Sequence, residues 1–124
     1  VAKLSSRKVW RPNPYTGIKR ADLYGFSIRG REQAGIRPSL IISVDRFNQS
    51  AAALAICLPI TSKDKKIPFH VSLIPSEGGL NVKSFVKCED VRSLSSDRLI
   101  KRLGVVSAET MVQVEARLKI LMGL

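Results

Sequence analysis

The chain has 124 residues, with 21 Lys and Arg against 10 Asp and Glu, a formal net charge of +11, 44% apolar residues and 25% charged residues. That balance is one ordinary globular domain's worth, and it excludes a disordered chain, a collagen-like repeat and a disulfide-framework miniprotein. No apolar run reaches the roughly 18 residues of a transmembrane helix, and the charge excess points to a polyanion: RNA, DNA, an acidic protein segment or an anionic membrane surface.

Residues 1–18 read as a basic extension ahead of a single domain over 19–124. Residues 1–20 hold Lys3, Arg7, Lys8, Arg11, Lys19 and Arg20 and no acid. Pro12, Pro14 and Gly17 punctuate them without sustained periodicity. There is no apolar signal core, and the two prolines disfavour the amphipathic helix of a transit peptide. Trp10 and Tyr15 are available to stack on bases.

Short strands follow. Residues 21–27 predict the first, weakened by Gly25. The run SLIISV at 39–44 predicts a buried second strand just after Pro38. LAICLPI at 54–60 predicts a third, and Pro59 points to an edge or a bulge. Residues 69–74 alternate, with Phe69, Val71 and Leu73 on one face and His70 and Ser72 on the other, so His70 is expected to face solvent. Residues 82–88 place Val82, Ser84 and Val86 against Lys83, Phe85 and Lys87. Turn residues separate these runs at 48–50, 63–66 and 75–79.

The last third reads as helical. Ser96 or Asp97 can cap a short helix to about Leu103, with Gly104 behind it. Ser107 can cap a longer one with the apolar stripe Met111, Val114, Leu118, Leu121 and Met122, an i, i+4 pair of Glu115 with Lys119, and Gly123 as its stop. About five short strands and a closing helix predict a mainly β (α+β) fold: a small, strongly bent sheet or barrel with a helix over one opening.

The residues restrict the chemistry. One His, two separated cysteines and no carboxylate cluster at ligand spacing give no support for a metal site. Glu89 and Asp90 are sequence neighbours expected to face opposite ways. There is no nucleophile elbow and no Walker or dinucleotide loop. Cys57 and Cys88 sit in apolar runs and read as small core residues in a reducing compartment. What remains is arginine with hydroxyls nearby, a set suited to phosphate. RNA cleavage by its own 2′-hydroxyl needs neither metal nor cofactor. The protein has only to align the nucleophile, stabilise the phosphoryl charge and help move two protons.

Residues 30–38 read GREQAGIRP, residues 39–48 SLIISVDRFN and residues 57–62 CLPITS. Together they resemble the MazF/PemK family of toxin endoribonucleases, marked by a G-x-E-Q-x-G-x-R-P loop, an apolar second strand ending near an Asn, and a third strand ending in P-[ILV]-T. The resemblance continues through FVKCEDVR at 85–92, RLIKRLG at 98–104 and the final helix, over about residues 19–124 in all. It implies a small SH3-like β-barrel of the PemK/CcdB type with a C-terminal amphipathic helix. It also implies a homodimeric, cytoplasmic, ribosome-independent endoribonuclease. Such a toxin cuts single-stranded RNA, mRNA included, at a short sequence, leaving 2′,3′-cyclic phosphate and 5′-hydroxyl ends. An acidic antitoxin neutralises it, and contact with DNA is only indirect, through the antitoxin.

Carried over residue by residue, the loop arginine is Arg37 and the third-strand threonine is Thr61, the family's catalytic pair. Arg29, Arg31, Glu32, Gln33, Ser62, Lys87, Glu89 and Arg92 fall in segments implied to bind RNA. On chemistry alone Arg37 is a transition-state stabiliser and not a base, because arginine stays protonated in proteins. Read apart from the family, Arg37 can simply cap the loop before Pro38, Thr61 can bond a turn amide, and Glu32 can hold the loop. The chain departs from the pattern in three places. Its first strand is about three residues shorter and lacks a late aspartate. Arg31 stands where one branch of the family has a His. Its basic extension is longer than usual. The alternative function is a non-catalytic nucleic-acid-binding or gyrase-targeting barrel of the same fold.

Overall fold

The computed structural model describes residues 17–27 and 35–124. Among the described residues seven strands form one antiparallel sheet: β1 Asp22–Ser27, β2 Ile36–Ile41, β3 Leu54–Thr61, β4 His70–Leu73, β5 Ser84–Lys87, β6 Arg92–Ser95 and β7 Leu99–Val105. A one-turn helix α1, Asp45–Asn48, joins β2 to β3, and α2, Ala108–Met122, closes the chain. The ladder runs β4-β5-β3-β2-β1-β7, with β6 also on β3. The mainly β architecture is the expected one, but the sheet is open. β4 and β7 end the path without pairing to each other.

Alternation assigns the two faces. Leu23, Leu40, Leu58, Ile60, Val71, Leu73 and Val86 share one face and bury against Met111 and Val114 of α2. Phe26, Ile41, Ala55, Cys57, Leu94 and Leu99 form a second cluster on the opposite face, joined by Ile18. Both cysteines are buried and free, as their apolar settings predict.

Ser107 caps α2 as expected, its side chain accepting from the Thr110 amide, and Gly123 ends the helix in the left-handed conformation (φ 70°). Glu77, in a 3-10 turn at Glu77–Gly79, braces that cap. Its Oε2 accepts from the Ser107 amide (3.1 Å) and hydroxyl (3.2 Å) and from the Thr110 hydroxyl (2.5 Å). Glu115 pairs with Arg20 (2.6 Å) and not with Lys119, tying the helix to the segment before β1. Burial of the stripe stops at Leu118. Leu121 and Met122 are exposed because the last turn runs past the sheet that covers the earlier ones.

Four expectations are corrected. Residues 99–103 are strand β7 and not helix; only Ser96–Arg98 turns, as a 3-10 turn. Pairing with β1 overrides the local cap signals, and two register shifts erase the alternation that would have marked a strand. The second strand begins at Ile36, three residues early, with Pro38 inside it and Val44 already leading into α1. Pro59 lies neither on an edge strand nor at a register shift: on one side β3 pairs β6 up to Cys57 and β5 from Ile60, and Pro59 falls in the gap between those partners. His70 is buried, at 8% exposure, not solvent-facing.

Candidate active site

β2 and β3 pair with Ser39 opposite Pro59, Leu40 opposite Leu58 and Ile41 opposite Cys57. The ladder ends at Ser39 and Pro59; by alternation beyond it, Arg37 lies on the face of Ser39 and Ile41, and Thr61 on that of Cys57 and Pro59. Directly opposed residues of an antiparallel pair point to the same face. The two side chains therefore share the face of the second cluster, beyond its end, where Arg37 is exposed and Thr61 half-buried. Among the described residues no carboxylate pairs with Arg37. The Thr61 Oγ1 accepts from the Lys63 amide (3.1 Å). This is the turn bond foreseen for a strand-end threonine. It fixes the oxygen and leaves the hydroxyl hydrogen free to donate.

On its other side Thr61 pairs with Phe85. Phe85 is buried and carries the Lys83 ammonium 5.8 Å from its ring centroid. By alternation Lys83, Phe85 and Lys87 lie on the Thr61 face, so a row of cations runs from Arg37 along β5. Sequence alternation groups Lys83, Phe85 and Lys87 but assigns the first two no role. Ser62 follows Thr61 into an exposed turn with Lys63, Lys65 and Lys66. Local sequence marks those lysines as turn residues; the signal for more is a basic run directly after the P-[ILV]-T motif.

The other named residues divide. Arg29, Arg31, Glu32 and Gln33 lie outside the described residues. Lys87, Glu89 and Arg92 all have internal partners. Asp90 takes Arg92 in a two-point contact (3.0 and 2.9 Å) and Lys87 at 3.5 Å. That fork is the leading cause holding the Asp90 carboxyl below its ordinary pKa, ahead of the opposing effect of burial. Glu89 Oε2 lies 2.9 Å from His70 Nε2. Burial acts to raise the Glu89 pKa, but the His70 hydrogen bond and nearby positive charge outweigh it and leave the carboxyl lowered. Glu89 and Asp90 thus turn to different partners. Arg92 lies opposite Cys57, further along β3 from Thr61. Asn48 is structural: its Nδ2 donates to the Ser43 carbonyl (3.0 Å) and its Oδ1 accepts from the Ser43 hydroxyl.

A guanidinium and a hydroxyl on one face of neighbouring strands, with ammonium groups on the next strand, are groups chemically suited to phosphate. The comparisons give that chemistry a family. Residues 19–122 match the PemK-like, MazF-like toxin of type II toxin–antitoxin systems, and the chain belongs to this family. It is 35% identical over 97 residues to endoribonuclease MazF9 of Mycobacterium tuberculosis, covering 74% of this chain and 82% of that protein. It is 32% identical over 111 residues to endoribonuclease MazF of Staphylococcus epidermidis, covering 86% and 92%. Its fold matches MazF in a MazE–MazF crystal structure from Deinococcus radiodurans with a TM-score of 0.73 and 28% identity, covering 86% of this chain and 96% of that one. No helix among the described residues is long and apolar enough to cross a membrane.

Proposed function

We propose that the chain is a sequence-specific, ribosome-independent endoribonuclease toxin that cleaves single-stranded RNA without a metal or other cofactor. The observation that supports this reading is the β2–β3 pairing of Ser39 with Pro59 and Ile41 with Cys57, from which alternation puts Arg37 and Thr61 on one face of neighbouring strands. The scissile phosphate lies between them. The substrate's 2′-oxygen attacks phosphorus, the O2′–P bond forms, the P–O5′ bond breaks, and a 2′,3′-cyclic phosphate and a 5′-hydroxyl result. The 2′-hydroxyl proton leaves to solvent, and the departing 5′-oxygen takes one up.

Arg37 acts as a fixed charge that neutralises the phosphoryl oxygens as negative charge builds. Thr61, its oxygen already anchored by the Lys63 amide, donates its hydroxyl hydrogen to one of those oxygens. Lys83, Lys87 and the turn cations Lys63, Lys65 and Lys66 hold the flanking phosphates. Arg29, Arg31, Glu32, Gln33, Ser62, Glu89 and Arg92 complete the RNA-binding set, with Lys87 and Arg92 exchanging Asp90 for phosphate.

The same positive face suits an acidic antitoxin segment that covers Arg37 and Thr61, and such a complex weakens as salt rises. The active form is a cytoplasmic homodimer of the 19–124 domain, with residues 1–18 as a basic extension. Exposed Ile120, Leu121 and Met122 offer uncovered apolar surface for the second copy. The test is purified protein with single-stranded RNA in excess EDTA, followed by mapping of the termini. Cyclic-phosphate and 5′-hydroxyl ends at a recurring short sequence are expected. Intact RNA, or cleavage only after adding a divalent metal, overturns the reading.

A further inference from the structure

Arg98 stands in the 3-10 turn that precedes β7, and its Nη2 donates to the Ser27 carbonyl at 2.7 Å. Ser27 is the last residue of β1 and pairs with Ile36, the first residue of β2; the next pair is Phe26 with Arg37. On the other edge of β1, Phe26 pairs with Leu99, so Arg98 occupies the ladder position opposite Ser27. β7 begins only at Leu99, and the β1–β7 register shifts between Gly25 and Phe26. The backbone ladder ends at Phe26 and Leu99, and the guanidinium supplies one further bond beyond it. A charge-assisted donor on a strand-end carbonyl is stronger than a neutral amide or water.

Among the described residues Arg98, like Arg37, Arg46 and Arg117, meets no carboxylate, unlike three other arginines, and it alone of these keeps a buried nitrogen without a partner. Arg20, Arg92 and Arg102 each meet a carboxylate, of Glu115, Asp90 and Asp22 respectively. The unpartnered nitrogen of Arg98 is its Nε. A buried donor left open is unfavourable, and its retention needs a reason. Stability alone does not supply one, because a residue with fewer donors could reach the same carbonyl without an orphan.

We propose that Arg98 is a positioning residue for Arg37. It pins the end of β1, and through the Ser27–Ile36 and Phe26–Arg37 pairs it sets where the arginine stands relative to Thr61. The proposal rests on the role given above to Arg37. A displacement of about 1 Å at a reacting centre lowers rates by up to about a hundredfold. Binding through the other cations does not depend on that placement.

The test compares R98A and R98K with the wild type in steady-state cleavage of a single-stranded RNA oligonucleotide, with melting temperatures and amide exchange at Ile36 and Arg37. R98A is expected to lower kcat by about tenfold to a hundredfold with KM little changed. Its melting temperature stays close to wild type, and exchange at Ile36 and Arg37 is faster. R98K recovers most of kcat, because its ammonium can donate to the same carbonyl. An unchanged kcat, a change confined to KM, or a loss that follows a lower melting temperature and is not recovered by R98K overturns the proposal. If the wild-type chain leaves RNA intact, the proposed function fails separately. Exchange at Ile36 and Arg37 then decides the positioning claim: faster in R98A supports it, and equal rates end it.

Discussion

His70 Nε2 lies 2.9 Å from Glu89 Oε2, and this contact removes the chain's single imidazole from the candidate chemistry. The ring is buried, with its Nδ1 unpartnered among the described residues, and it links β4 to the turn after β5. The pair makes stability depend on acid. The folded Glu89 carboxyl titrates below its ordinary value of 4.5. Its contribution is therefore complete above that value and is lost as pH falls through the folded one. Glu89→Gln is expected to melt below wild type at pH 7, with the gap narrowing as pH falls below the ordinary carboxyl value and through the lower folded one. Melting curves across that range check it, and a gap independent of pH contradicts it.

Glu77 gives a second acid-linked effect at the start of α2. Burial acts to raise its pKa, but the hydrogen bonds from Thr110 and Ser107 leave it lowered. By the same sign rule, its support of the cap is present at neutral pH and fades in acid. Glu77→Gln is expected to cost about 1–2 kcal/mol at pH 7, the range of lost helix caps, and much less in acid. Urea denaturation at the two pH values measures the difference.

The 3-10 turn that carries Glu77 packs on β7 with no room for a side chain between them. A Cβ on Gly104 would lie 2.5 Å from the Gly78 carbonyl carbon, and one on Gly79, which is also at φ 79°, 2.1 Å from the Leu103 oxygen. Both contacts are with backbone and cannot be relieved by a rotamer change. Gly104→Ala is expected to destabilise the fold by about 2 kcal/mol or more, read as a lower denaturation midpoint. A midpoint equal to wild type would contradict this packing.

Burial pushes the Cys57 thiol up to about 12 and the Cys88 thiol up to about 11, so neither supplies thiolate at neutral pH. Neither is expected to react with a thiol reagent at pH 8 until the chain unfolds. Labelling of the folded protein at the rate of a free thiol would place one of them on the surface.

Much of the fold was legible because apolar runs and turn residues coincide with element boundaries. Ser107 and Gly123 mark both ends of α2, and the run around Cys57 is the central strand β3. Residues 99–103 misled because their strand character comes from β1, far off in sequence, and the register shifts scramble its pattern. His70 misled because alternation assigns a face but not its burial. Both faces of this sheet are covered over much of their area, and the acid that accommodates the imidazole arrives nineteen residues later. Arg37 and Thr61 were reached through the family motifs. Composition and periodicity alone left each with a structural reading, and for Thr61 that reading, a bonded turn amide, also holds. Arg98 opens the RLIKRLG run, but nothing in that run gives it a role, because its bond is to a carbonyl 71 residues away.

The most direct test of the central claim is a double-mutant cycle on Arg37 and Thr61, read as single-turnover cleavage of one RNA oligonucleotide. Arg37→Ala is expected to slow cleavage by about a hundredfold to a thousandfold, as loss of a transition-state donor does. If the two groups act on one phosphate as a unit, Arg37→Ala with Thr61→Ala together is expected to be scarcely slower than the slower single variant. Losses that multiply in full, or wild-type cleavage by either single variant, would contradict the account.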